Sequence, residues 1–231
     1  MKRILLDLLN QARSEKKTSI LLTNLDDGTQ ELIFPFSTGQ DHPSLSNIQL
    51  LPDIKKAVRD DRSYVREEDG SKTFIQVFNP PLRMIIVGAV HISQFLVPMA
   101  QLAGYEVILV DPRSAFGNST RFPSCTISNE WPDDAMQELN PDHRTAVVIL
   151  THDPKLDDPA LEITLKSDAF YIGALGSKRT HAKRVERLKH LEGLERIEGP
   201  IGLAIGSKNP AEIAVSILAA ITNALRNGSI N

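Results

Sequence analysis

Cysteine is nearly absent: Cys125 is the only one in 231 residues. That excludes an internal disulfide framework and a metal site built from several thiolates, and it fits a reducing cytoplasm. No apolar run approaches the roughly 20 residues that a bilayer span needs. The opening MKRILLDLLNQARSEKK turns charged too soon for a secretory signal. A cytoplasmic protein with no membrane partner is expected. A dominant charge sign is missing as well. With 26 Lys and Arg against 29 Asp and Glu, the formal net charge is -3, which gives no case for the basic surface of a nucleic-acid binder. Internal repeats and low-complexity tracts are lacking, and the single tryptophan, Trp131, reads as packing.

What is present begins with an amphipathic helix over Lys2 to Ser14, with Ile4, Leu5, Leu8, Leu9 and Ala12 as its stripe. Two apolar runs, Thr18 to Leu25 and Gln30 to Phe34, flank DDG and predict a hairpin. The polar segment Pro35 to Asn47 reads as a loop, Pro52 to Asp60 as a short helix, and Tyr64 to Val77 as a second hairpin turned at EEDG. Asn79, Pro80 and Pro81 then interrupt everything, because paired prolines lack amide donors and restrict the residue before them. The expected organisation is a small α+β domain over residues 1–79 and a larger one over residues 80–231.

The larger part alternates strand and helix, the pattern of an α/β, Rossmann-like doubly wound parallel sheet. Its centre is RMIIVGAVHISQFLVPMAQLAGYEVILVDPR, Arg83 to Arg113. A buried strand to Val87, a turn at Gly88 and a helix from His91 to Ala103 come first, with Ile92, Phe95, Leu96, Met99 and Leu102 on one face. A second strand, Glu106 to Val110, delivers Asp111 about 20 residues on, which is the dinucleotide-binding layout. Val90 stands where the fingerprint wants glycine, and its branched side chain should obstruct a pyrophosphate. Further on come strands at Ala146 to Leu150, Ala169 to Ile172 and Leu203 to Ile205. The helices between and after them are one capped by Asp158 with Pro159 at its first position, one over Lys178 to Leu191 closed by Gly193, and one over Pro210 to Leu225 with a capping box of Asn209 and Glu212.

In such a sheet ligands bind beyond the strand C-termini where strand order reverses, which would set Gly88, Ala89, Val90 and His91 opposite Thr151, His152 and Asp153. Asp111 is placed to accept both hydroxyls of a ribose, or else to cap its loop with Arg113 as ion-pair partner. His91 is read either as a hydrogen-bonding or proton-donating group or as a helix-start residue tied to local backbone. For Asp153 the alternative is an N-cap ahead of Pro154. A metal triad of His91, His152 and Asp153 would need contacts that only a structure supplies. In GALGSKRTHAKR, Gly176 frees the turn and Ser177, Lys178 and Arg179 arrive at a helix start suited to an anion. Lys183, Arg184 and Arg187 are expected on the solvated side, opposite Ala182, Val185 and Leu188. Cys125 reads as structural.

The segments GAVHISQFLVPMAQLAGYEVILVDPR, RFP, LTHDPKLDDPAL, YIGALGSKRTHAKR and PIGLAIGSKNPAEIAVSILAAI resemble the XdhC/CoxI family, maturation factors of xanthine dehydrogenase and carbon monoxide dehydrogenase. The resemblance covers Pro81 to the end. It implies a Rossmann domain that binds the molybdenum cofactor (molybdopterin), guards it while a sulfurase installs its sulfido ligand, and passes it to an apo-molybdoenzyme of the xanthine dehydrogenase type. On that view the protein is a chaperone and not a catalyst, and the turns named above hold phosphates and ribose. A homodimer through the last helix is open. The family's cysteine-bearing N-terminal motif has no counterpart between Met1 and Asn79, and Ala204 stands where the family's GLDIG segment has Asp. Without the resemblance, the same residues would serve an NAD(P)-binding oxidoreductase or a nucleotide-sensing Rossmann module.

Overall fold

The computed structural model describes residues 3–36 and 49–228, so most of the expected loop from Pro35 to Asn47 lies outside the described residues. The chain divides into two compact units, Met1–Pro80 and Pro81–Gly228. In the first, helix α1 (Arg3–Ser14) precedes strands β1 (Ser19–Asn24) and β2 (Gln30–Ile33), helix α2 (Leu51–Asp60), and strands β3 (Tyr64–Glu68) and β4 (Ser71–Phe78). The four strands form an antiparallel sheet in the order β2-β1-β4-β3. Asp69 and Gly70 both take positive φ, 49° and 80°, as a two-residue turn matched to strand twist requires. Ile20, Leu22, Ile33 and Ile75 of the sheet pack with Ile54, Ala57 and Val58 of α2. Of the predicted α1 stripe only Leu9 and Ala12 are buried.

The second unit begins with β5 (Leu82–Val87), α3 (His91–Leu102), β6 (Tyr105–Val110), β7 (Thr126–Ser128) and α4 (Pro132–Leu139). It continues with β8 (Thr145–Ile149), α5 (Pro154–Thr164), β9 (Tyr171–Ala174), α6 (Lys178–Arg187), β10 (Ile197–Glu198) and α7 (Pro210–Asn227). The six strands are all parallel, in the order β10-β9-β8-β5-β6-β7, which is the doubly wound order of a Rossmann domain. Both faces are covered, so the strands read as unbroken apolar runs. Met84 and Ile86 of β5 pack with Leu96 of α3 and Ile217 and Ile221 of α7. Ile85 and Val87 pack on the other side with Met136 of α4 and Leu161 of α5.

Five expectations are corrected. α5 starts at Pro154 with Asp153 as its cap, a full turn before the predicted Asp158, because proline's fixed φ suits the first helical position and the Asp153 carboxylate takes the Lys155 amide. Leu203 to Ile205 is no strand: Gly202 and Gly206 bracket it at φ 92° and 79°, and Ile197–Glu198 takes the sheet edge instead. α6 ends at Arg187, and its buried side chain is Arg184, not a solvated one. The buried side of α3 runs through Ile92, Ser93, Leu96, Val97 and Ala100, following the i, i+4 rows that face α7 and the sheet; Phe95 and Leu102 remain 41% and 90% exposed. Trp131 is exposed, since the proline after it holds it extended ahead of α4.

The capping box of α7 is formed as predicted: Asn209 accepts from the Glu212 amide at 2.9 Å, and Glu212 accepts from the Asn209 and Lys208 amides. Replacing Asn209→Ala should lower stability by about 1 kcal/mol, read as a shift of the urea midpoint at constant slope, with Asn209→Ser keeping most of the wild-type stability.

Candidate functional site

The chain leaves the neighbouring strands β5 and β8 toward opposite faces of the sheet, so their C-terminal turns meet at the point where strand order reverses. The meeting is close. Gly88 has φ 117°, and a Cβ there would lie 2.9 Å from Thr151 Cγ2 and 3.1 Å from the Thr151 amide; only glycine satisfies both demands. Val90 caps α3 with extended backbone and no side-chain cap bond, and it packs half-buried against the core. The Ser93 hydroxyl donates to the Gly88 carbonyl at 2.5 Å. His91 is exposed on the first turn of α3.

Asp111, at the end of β6, is fully buried. Its Oδ1 accepts from the Arg113 amide at 3.0 Å and from Arg113 Nε at 2.9 Å. Its Oδ2 accepts from the Ala89 amide at 2.8 Å and from Arg113 Nη2 at 2.9 Å. Burial alone would push this carboxyl's pKa up, but the bonds from Arg113 and the Ala89 amide outweigh it and hold the group below the usual Asp value. The loop that follows folds back over the Gly88 turn. Arg121 Nη1 donates to the Ala89 carbonyl at 2.9 Å and to the Phe116 carbonyl at 2.8 Å, while Asn129 Nδ2 donates to the Asp111 and Gly117 carbonyls.

On the β8 side a second polar network forms. The Thr151 hydroxyl donates to Asp157 Oδ1 at 2.5 Å, and the Asp153 amide donates to Thr151 Oγ1 at 3.1 Å. Asp157 is buried and receives Arg184 Nη2 at 3.4 Å. Arg184, 2% exposed, also donates to the Leu175 carbonyl at 3.0 Å, so one guanidinium links the turns after β8 and β9. Burial raises the Asp157 carboxyl's pKa against the lowering pull of Thr151 and Arg184. His152 holds a left-handed φ of 62° and is exposed, a conformation uncommon outside glycine that marks a constrained turn.

The structure therefore brings together Ala89, Asp111 and Arg113 in one bonded cluster beside the Gly88 turn, and joins Thr151 and Asp153 to Asp157 and Arg184 in a second. Gly176 has φ 148°. Ser177 caps α6 by accepting the Thr180 amide at 3.2 Å, and Lys178 and Arg179 stand exposed on that first turn. Among the described residues no group of three His, Cys, Asp or Glu side chains is placed to hold a metal ion. No described helix is long and apolar enough to cross a membrane. Cys125 is half-buried, and burial pushes its thiol up to about 11, which keeps it protonated and unreactive. Sequence reasoning missed the Asp157–Arg184 pair. A signal existed: Arg184 lies four residues before buried Leu188, hence on the same helical row.

Residues 84–221 match the XdhC Rossmann domain. A probable xanthine dehydrogenase subunit from Bacillus subtilis is 35% identical over 155 residues, which are 64% of this chain and 44% of that protein. The Escherichia coli molybdenum cofactor insertion chaperone PaoD is 28% identical over 150 residues, 63% of this chain and 41% of its own. The chain thus spans less than half the length of either curated relative. A crystal structure of a xanthine dehydrogenase from Bacillus halodurans aligns with TM-score 0.68 at 24% identity, covering 99% of this chain and 66% of that one; at that identity the likeness bears on the fold alone.

Arg184→Met should strand the buried Asp157 carboxylate and cost about 3–5 kcal/mol, measured by urea unfolding. Adding Asp157→Asn should recover most of that loss, since the uncompensated charge is then gone.

Proposed function

The chain belongs to the XdhC family, and from that premise we propose that it binds a molybdenum cofactor and hands it to an apo-enzyme of the xanthine dehydrogenase type. The observation that carries the proposal is the character of the crevice: a floor fastened by two buried carboxylates, with exposed polar groups around it. Storing and releasing a cofactor requires hydrogen bonds and shielding from water, and it requires no acid, base and nucleophile set. The groups present suit a phosphate-bearing pterin. His91, His152 and Asp153 offer donors and acceptors for its polar edges, while Lys178, Arg179 and the amides at the start of α6 suit its phosphate. The names of the two relatives support the same reading.

The finer parts of the proposal are a sulfurase that supplies the sulfido ligand and a homodimer as the working form, with binding and insertion, not turnover, as the activity. NAD(P) has against it Val90 in the fingerprint position and an Ala89 amide already bonded to Asp111.

The test is to purify the protein from molybdate-fed cells with cofactor synthesis intact and to assay bound molybdenum, pterin and nucleotide. Stoichiometric pterin with molybdenum is expected; nucleotide without pterin would overturn the proposal. The pair Lys178→Ala and Arg179→Ala should weaken pterin retention by about 1–3 kcal/mol, with thermal unfolding unchanged because both side chains are exposed.

A further inference from the structure

In a dinucleotide-binding Rossmann domain, the carboxylate at the end of the second strand accepts the two hydroxyls of a ribose. Here that carboxylate has no capacity left. A carboxylate offers about four acceptor sites, and Asp111 already receives four hydrogen bonds, two on each oxygen. Two of the four come from Arg113 Nε and Nη2, one on each oxygen, at 2.9 Å and 2.9 Å. That fork of parallel donors is the pattern a cis-diol presents to the same group.

The placement is layered. Asp111 is fully buried, whereas the Arg113 side chain above it is 39% exposed, so the guanidinium is what a ligand would meet. Its carbon sits 4.9 Å from the centroid of the Phe116 ring, and the Phe116 carbonyl is pinned by Arg121, which also grips Ala89. The Asp153 and Asp157 carboxylates add a weaker attraction to the same guanidinium.

We propose that Arg113 is an internal substitute for a ribose, a specificity-determining residue that closes the nucleoside slot of this Rossmann domain and keeps free nucleosides and dinucleotides off Asp111. The consequence is that a ligand enters over His91 and the Thr151–Asp153 turn, with its recognition resting on groups other than the Asp111 carboxylate. The inference is independent of which cofactor the crevice holds, because its probes are plain nucleosides.

Adenosine binding is measured by calorimetry for the unaltered protein and for Arg113→Ala, with 2′,3′-dideoxyadenosine as the probe that lacks the diol. Adenosine carries no pyrophosphate, so Val90 does not enter the comparison. Arg113→Ala should bind adenosine at least about ten-fold more tightly, the gain should vanish with the dideoxy probe, and it should vanish again in the double variant Arg113→Ala, Asp111→Asn. A folded Arg113→Ala with no gain, or with an equal gain for the dideoxy nucleoside, overturns the proposal. Should Arg113→Ala fail to fold, Arg113→Gln keeps one donor for the buried carboxylate. It is then held to the same two outcomes, with a smaller gain that still requires the diol.

Discussion

The carboxylate of Asp111 ties the C-terminal ends of β5 and β6 to each other. A parallel sheet provides no hairpin to join neighbouring strand ends, so each crossover loop must find its own partners for backbone groups that leave the ladder. Asp111 gives the Ala89 amide an acceptor and draws Arg113 back over the strand end, and Arg121 and Asn129 then fasten the rest of the loop to Ala89 and Asp111 carbonyls. Two of the groups so bonded, the Ala89 amide and the Asp111 carboxylate, are ones that a dinucleotide uses in a Rossmann site. If Arg113 stands in for a ribose, the same interactions that stabilise the turn also keep a nucleoside off it.

Across the crevice the balance differs. Half-buried Thr151 and buried Asp157 and Arg184 form a chain that links the turns after β8 and β9, but among the described residues Arg184 Nε and Nη1 have no hydrogen-bond partner. One network is saturated and the other is not, and the close approach of Gly88 to Thr151 couples them mechanically. The exposed residues His91, His152 and Asp153 stand on these two bonded turns. A site of this kind favours recognition by preformed geometry, with little ordering left to occur when a ligand arrives.

Much of this was legible in the sequence, and the limits have physical causes. Unbroken apolar runs at Met84 to Val87 and Ala146 to Leu150 announce buried parallel strands, and Gly88 and the Asn209 capping box rest on local rules that tertiary packing does not alter. The expected facing of the β5 and β8 turns follows from strand order, which the right-handed crossover rule constrains. What failed were positions where an element's partner decides. Leu203 to Ile205 has strand composition, yet glycines at both ends bend it off the sheet edge. Arg184 has the polarity of a surface residue, and only a buried carboxylate from another helix explains its burial. Two prolines, Pro154 and Pro159, could each open α5, and the choice fell to the one preceded by a residue free to cap.

Fold alone does not distinguish a dehydrogenase from a carrier, since both can use this sheet and the same switch point. The distinction lies in which polar groups remain free after folding. In this chain the two groups that define a nicotinamide dinucleotide site, the turn amide of Ala89 and the carboxylate of Asp111, are bonded to each other. Exposed groups remain at His91 beside β5 and at His152, Lys178 and Arg179 on the β8 and β9 side of the crevice. Under the proposed function such a division would favour one scarce cofactor over abundant nucleotides, because an internal contact occupies the groups a nucleotide would use. Specificity then arises from what the protein binds within itself.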